Sequence, residues 1–383
     1  RGTVAWMGRT DRRSRGRLAW VQPTARGTVA AVPALQSALQ LRLVLLLALL
    51  LVLVALSACT TPSTDPGADA DSDSTRAGAP TGLSDCRPVD SDRVRGRASA
   101  YLPGDAPLTA LPVSDAVCAA VWAPRGTGAF VPQGVAVRGR TAWLTGYDEG
   151  QPGALWCRVL RMDLRTGRLL AERARVEGSV GGAPTVGCRH GGGAALDQHG
   201  LWLAESSRLW LLDPGSLEVV RVWRLEDPVQ GSFTVLAPDG RIGLGRFRPS
   251  RVHPGRAALD WFRLSDVLAP GVTALNPADA VSSRKVPSHA QGAVWARMGG
   301  RTGVWFARSH TRCGVLEGPG GVQRSFLPGA EGMAATSDGL WVVSESSARA
   351  FWSQGGRPLV PTLSRVDTSR VKGWPRPACD PAG

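Results

Sequence analysis

Gly134, Gly193 and Gly332 each stand nine positions before a tryptophan: Trp143, Trp202 and Trp341. A spacing that recurs within one chain marks a repeated supersecondary unit, and it constrains the fold more tightly than composition does. Five segments share the underlying plan. They are PQGVAVRGRTAWLTGY (132–147), GGGAALDQHGLWLAES (191–206), VQGSFTVLAPDGRIGLGRF (229–247), AQGAVWARMGGRTGVWFARS (290–309) and AEGMAATSDGLWVVSES (330–346). Each has a glycine, a short apolar run, a turn, and a second run with an aromatic or β-branched centre. A third run often follows, as in RVLRMDL (158–164) and RLWLLD (208–213), and a fourth in RLLAERA (168–174) and LEVVRVW (217–223). Short apolar runs separated by Gly- and Asp-containing turns predict antiparallel strands.

Four strands per copy, at a period of roughly 40 to 60 residues, suit a propeller blade. A β-helix uses shorter repeats, and a sandwich does not repeat the Gly-to-Trp spacing. The expected fold class is therefore all-β, a β-propeller with five recognisable blades over residues 86–383. A sixth could be assembled from residues 86–130 and the C-terminus. The tryptophans are expected to pack between blades.

The motifs PQGVAV (132–137), RVLRMDLRTGRLL (158–170) and HGGGAAL with GLWLAES (190–206) resemble secreted actinobacterial propellers of the broad YVTN/NHL-like group. The resemblance covers roughly residues 130–370 and implies fold and location, not a reaction.

The N-terminal part reads as an export signal. Arg42 precedes an uncharged run from Leu43 to Leu56, too short for a spanning helix of about 20 apolar residues but long enough for a signal-peptide core. It ends in Leu56-Ser57-Ala58-Cys59, which resembles the lipobox of bacterial lipoproteins. That likeness implies cleavage before Cys59, a lipid on its thiol, and anchorage at the outer face of a membrane. Residues 1–58 are thus expected to be signal peptide and N-terminal extension. The Thr-, Pro-, Asp- and Ser-rich stretch 60–85 cannot bury enough apolar surface to offset its ordering entropy, so residues 59–85 read as a lipidated flexible tether.

Half of the +14 formal net charge lies in residues 1–58. The remainder is arginine-rich, with only Lys285 and Lys372 as lysines, and has no basic stripe interleaved with aromatics, so no nucleic-acid partner is expected. A monomer is expected. Beyond Cys59 there are six cysteines, an even number that suggests disulfides outside the cytoplasm. Six cysteines allow about 15 pairings, and the sequence does not decide among them: Cys157–Cys188 could link one repeat to the start of the next, Cys86–Cys118 could pin the N-terminal segment, and Cys313–Cys379 the C-terminal tail. No CxxC pair occurs, which speaks against structural zinc.

Propeller topology brings the start of each first strand and the end of each second strand to one face around the channel. The residues there include Gln133, His190, Gln230, Gln291 and Glu331 before the first strands. Asp148, Glu149, Glu205, His310 and Glu345 follow the second. This polar ring is the expected ligand-binding surface. His190, Glu205 and Glu331 are the candidates for acid–base work. The carboxylates Asp148, Glu149, Glu205, Glu331 and Glu345 could gather on Ca²⁺, which takes about six to eight oxygens; no other cofactor is expected. EGM (331–333) resembles the metal-ligand EGP of gluconolactonase-like propellers. That pattern also takes an asparagine, and Asn276 lies in a Pro/Ala-rich loop. No GxSxG elbow occurs. The leading expectation is a membrane-anchored extracytoplasmic module that binds a ligand or partner protein through its channel face. A metal-assisted hydrolase or lyase, and an envelope scaffold, are the alternatives.

Overall fold

Short runs of alternating or wholly apolar residues pair with their neighbours in sequence, and nearly every pairing between consecutive strands is antiparallel. The computed structural model describes residues 86–104, 106–124, 129–149, 155–248, 257–352 and 358–381. Residues 1–85, on which the expected signal peptide, lipidated Cys59 and tether fall, lie outside the described residues.

An N-terminal strand, β1 (Val117–Val121), precedes the first repeat. Blade 1 is β2 (Phe130–Arg138), β3 (Thr141–Glu149), β4 (Leu155–Asp163) and β5 (Leu169–Arg173), counted outward from the axis. A small ladder of β6 (Glu177–Gly178) and β7 (Val186–Gly187) follows. Blade 2 is β8 (Gly193–Leu196), β9 (Leu201–Glu205), β10 (Arg208–Leu212) and β11 (Val219–Leu225). Blade 3 begins with β12 (Phe233–Ala237), β13 (Arg241–Gly245) and β14 (Ala258–Arg263). The chain then leaves blade 3 through a short helix, Leu264–Leu268, to lay β15 (Ala274–Leu275) parallel to β11 as a fifth strand of blade 2. It returns as β16 (Ser282–Lys285), the outer strand of blade 3. Blade 4 is β17 (Ala290–Met298), β18 (Arg301–His310), β19 (Cys313–Gly318) and β20 (Val322–Ser325). Blade 5 is β21 (Ala330–Thr336), β22 (Gly339–Ser344) and β23 (Leu363–Val366), completed by β1 on its outer edge.

The disc is thus a five-bladed propeller closed by its own N-terminus: Val121 pairs with Leu363, and Val117 with Val366. Residues 86–130 and the C-terminus build no sixth blade. Part of that N-terminal segment is spent on closing the fifth, and Arg95 bridges to Val121, so even the added edge strand is covered. The disulfides are Cys86–Cys118, Cys157–Cys188 and Cys313–Cys379, which decides the pairing that the sequence left open.

Apolar side chains fill the spaces between blades. Trp143 of blade 1 donates its indole N–H to Pro214 O of blade 2. Trp202 is fully buried against Trp223, with ring centres 5.5 Å apart. Trp341 packs with Val121, Val135 and Leu144, which joins blade 5 to blade 1. Burying a side chain of this size contributes on the order of 2–3 kcal/mol, so the inter-blade layers dominate the stability. The tail is held separately. Trp374 stacks on Phe326, Ser325 bonds to Pro375 and Arg376, and the Cys313–Cys379 bridge closes a 66-residue separation. On the chain-entropy account, the Cys313→Ala/Cys379→Ala double variant is expected to lose about 4 kcal/mol of stability, read as the urea midpoint.

Candidate functional site

The first strands meet the axis at glycine. A Cβ on Gly134 would lie 2.7 Å from Ala194 N, one on Gly193 2.5 Å from Thr234 N, and one on Gly332 2.7 Å from the Cα of Gly134. A Cβ on Gly292 would lie 1.8 Å from the carbonyl oxygen of Glu331. Four of the five blades therefore need the absence of a side chain where the inner strands converge. Below this ring the channel is a cavity of about 170 Å³ lined by three residues per blade, among them Val135, Ala194, Thr234, Ala293 and Met333.

The same neighbours set the true alignment of blade 3. Gly193 abuts Phe233 and Thr234, so Phe233 takes the position that is glycine elsewhere. Its ring has room because Gly245 leaves space: a Cβ there would lie 2.0 Å from the Phe233 ring. The residues directly before the ring are therefore Gln133, Gly192, Ser232, Gln291 and Glu331. Gln230 stands two positions too early and is not the equivalent of Gln133, a correction to the sequence alignment. It slipped because it was anchored on Gly231.

Glu331 is the second residue of β21 and is 1% exposed, while Glu345 follows β22 and is 6% exposed. The ladder brings them together, and they hydrogen-bond to each other. Gln133 of blade 1 donates Nε2–H to Glu345 Oε2 at 2.8 Å, and Gln291 of blade 4 is hydrogen-bonded to Glu331. The site is thus two buried carboxyls from blade 5 held between amides of the flanking blades. Glu331 Oε1 is buried and meets no hydrogen-bond partner. Burial pushes the Glu345 carboxyl up to about 8. Burial first, and the charge of Glu345 second, push Glu331 well above the usual carboxylate range. Two carboxylates that close cannot both ionise at neutral pH, so the pair holds a proton.

Three of the other ring residues, Glu205, Asp148 and His190, have partners of their own. Glu205 shares the Glu-Ser-Ser sequence of Glu345, but position i+3 is Arg208, which bonds to it, where Glu345 has Ala348. Trp210 Nε1 and Ser207 Oγ also donate to Glu205. Burial still raises the Glu205 pKa, against the pull of Arg208. Asp148 is tied to Arg158 at 3.1 Å, and Arg158 is shared with Glu172. Glu149 ends β3, and its side chain lies outside the described residues. His190 stacks on Tyr147 at 4.7 Å, and burial lowers its pKa. His310 is exposed and accepts from Arg312 N. Gln230 is half-buried.

His190, just before β8, and Glu205 at the end of β9 belong to blade 2 and Glu331 to blade 5, and each has its own set of contacts: His190 with Tyr147, Glu205 with Arg208, and Glu331 with Glu345. The five-carboxylate calcium set is not assembled, because Asp148 and Glu205 are already paired with arginines. Among the described residues no group of three or more His, Cys, Asp or Glu could hold a metal ion.

No family model matches the chain. No curated protein matches it either. Solved structures do. A Bacteroides caccae protein of unknown function aligns with 13% identity and a TM-score of 0.35, over 64% of this chain and 80% of its own. BamB from Moraxella catarrhalis aligns with 13% identity and a TM-score of 0.25, over 61% and 57%. The calcium-binding protein regucalcin from Agrobacterium tumefaciens aligns with 12% identity and a TM-score of 0.31, over 66% and 95%. The fold assignment rests on the strand order above, and these likenesses add nothing about activity.

Proposed function

We propose that the protein is a membrane-anchored, extracytoplasmic binding module that receives a ligand or a partner's side chain at the Glu331–Glu345 pair. The observation that carries this reading is the buried, unpartnered Glu331 Oε1. An unmet acceptor at such depth costs roughly 1–3 kcal/mol, which an ammonium or guanidinium group reaching it would recover. A cationic group would also displace the shared proton. No helix among the described residues is long and apolar enough to cross a membrane. The anchor in this proposal is the lipid on Cys59.

Two experiments test it. Cys59→Ser is expected to abolish incorporation of labelled palmitate and to move the protein from the membrane to the soluble fraction. Retention of label or of membrane association would contradict the anchor. For the site, a thermal-shift panel of alkylamines, guanidines and divalent cations is expected to yield a cationic compound that stabilises the wild type. Near a hundredfold excess over Kd the gain is about 2.7 kcal/mol, and it is expected to vanish in Glu331→Gln. An equal shift in both proteins would sink the assignment.

A second reading has one observation in its favour. A carboxyl pushed up to about 8 is a neutral acid at pH 7 and suits general-acid catalysis in an extracytoplasmic hydrolase. Turnover of lactones or phosphoesters, lost in Glu331→Gln, would select it over binding. The scaffold reading has less support: the exposed large apolar residues Leu170, Val220 and Val281 lie on three different blades.

A further inference from the structure

At the opposite face, the Gly299-Gly300 turn between β17 and β18 borders a groove of about 600 Å³ whose lining includes Arg301, Arg324, Lys372 and Trp305. No carboxylate lines it. Arg324 is held in place, while Arg301 and Lys372 are exposed at the rim. Arg324 donates Nε–H to Val371 O and its terminal nitrogens to Gln323 O and Lys372 O, which fixes its guanidinium and leaves two N–H groups over. Arg301 makes one bond, to Pro319 O. Gly299 and Gly300 both have positive φ, at 56° and 78°, and a Cβ on Gly300 would lie 3.5 Å from Lys372 Nζ. The Lys372 ammonium thus lies beside the turn, on an exposed side chain. Elsewhere on the disc arginines such as Arg158, Arg208, Arg241 and Arg308 meet carboxylates; among the described residues these three cations meet none. The Trp305 side chain forms part of the wall, and its buried indole N–H has no acceptor.

We propose that this groove binds a phosphate-class oxyanion. Fixed N–H donors and unpaired positive charge around one concavity match the several acceptor oxygens of such a group, and arginine suits it by its forked geometry. The chain's own layout bears on the source. Val366 pairs with Leu340 beside the β21–β22 turn, and Val117 pairs with Val366. Cys86, bridged to Cys118, therefore enters the domain on the same face as the groove. A phospholipid headgroup and a free phosphate share this chemistry, and the test separates them. The site is independent of the Glu331–Glu345 pair and stands or falls without it.

The experiment uses the purified full chain in three forms: wild type, Arg301→Gln/Lys372→Gln, and a control, Arg263→Gln/Lys285→Gln, that removes the same charge from exposed positions of blade 3. Each is titrated calorimetrically with pyrophosphate and co-sedimented with phosphatidylglycerol and with phosphatidylcholine vesicles. The wild type is expected to bind pyrophosphate, or phosphatidylglycerol vesicles in preference to phosphatidylcholine. Affinity is expected to fall about tenfold or more in the groove variant and less than about twofold in the control. Pyrophosphate binding assigns a free anion, and vesicle binding alone assigns a headgroup. Binding to neither probe, or equal losses in both variants, would overturn the proposal.

Discussion

Glu331→Gln is expected to stabilise the protein at pH 8 while leaving it nearly unchanged at pH 5. Both carboxyls of the pair have folded-state pKa values above the unfolded value of 4.5, and Glu345 is pushed up to about 8. A carboxyl of this kind favours the folded state while protonated. Its contribution is complete below about pH 4.5 and is lost as pH rises through about 8. Wild-type stability should therefore fall across that window. A shift from 4.5 to about 8 corresponds to an upper figure near 5 kcal/mol for Glu345. In the variant a neutral amide replaces Glu331 and can donate to the Glu345 carboxylate without needing a proton. The expected gain at pH 8 is about 2–5 kcal/mol. For a domain of this size that is several degrees in Tm, on the order of 2 °C per kcal/mol. His190 works in the other direction, since burial lowers its pKa and its charging at low pH opposes folding. It is common to both proteins and cancels in the difference. Melting curves of the two proteins that stay parallel from pH 5 to pH 8 would refute the shared-proton account.

Gly292→Ala is expected to cost at least about 3 kcal/mol, or to prevent folding. The new methyl would sit 1.8 Å from Glu331 O, a backbone atom of the adjacent inner strand, and the closed ring of five gives that strand nowhere to move. The same substitution at Gly104, where a Cβ meets nothing within 4 Å, is expected to change stability by less than about 0.5 kcal/mol. Urea midpoints of the two variants provide the comparison. An unaltered midpoint for Gly292→Ala would mean that the inner strands are not packed as described.

Much of this architecture was legible in the repeats. The Gly-to-Trp spacing located the first two strands of blades 1, 2 and 5, because both residues are structural: the glycine lets inner strands converge, and the tryptophan fills the layer between blades. Blade 3 was located but shifted by two residues. There Phe233 replaces the marker glycine, and the compensating space is at Gly245 on the paired strand, a relation no linear scan displays. Closure by β1 was missed since VCAAV has no turn partner nearby and joins a strand more than 240 residues later. The disulfide pairing was not legible among the roughly 15 combinations; in the fold each bond ties a segment to a blade edge or bridges neighbouring repeats.

The candidate site was only half legible. Gln133, Gln291, Glu331 and Glu345, which the fold brings together, were all among the residues named. Repetition, however, made Glu205 and Glu345 look alike. What separates them is Arg208 three residues after one and Ala348 after the other: the first carboxylate is neutralised on its own hairpin, while the second is left to share a proton with Glu331. Asp148 and His190 departed from the repeat and so drew notice, yet they serve an ion pair and a ring stack.

The most direct measurement is a carbon-13 NMR titration of the glutamate carboxyls, in the wild type and in Glu331→Gln and Glu345→Gln. The account expects at least one glutamate signal that titrates near pH 8 in the wild type and disappears or moves in both variants. If every glutamate carboxyl titrates below about pH 6, the pair holds no proton at neutral pH, and the binding site proposed for it loses its foundation.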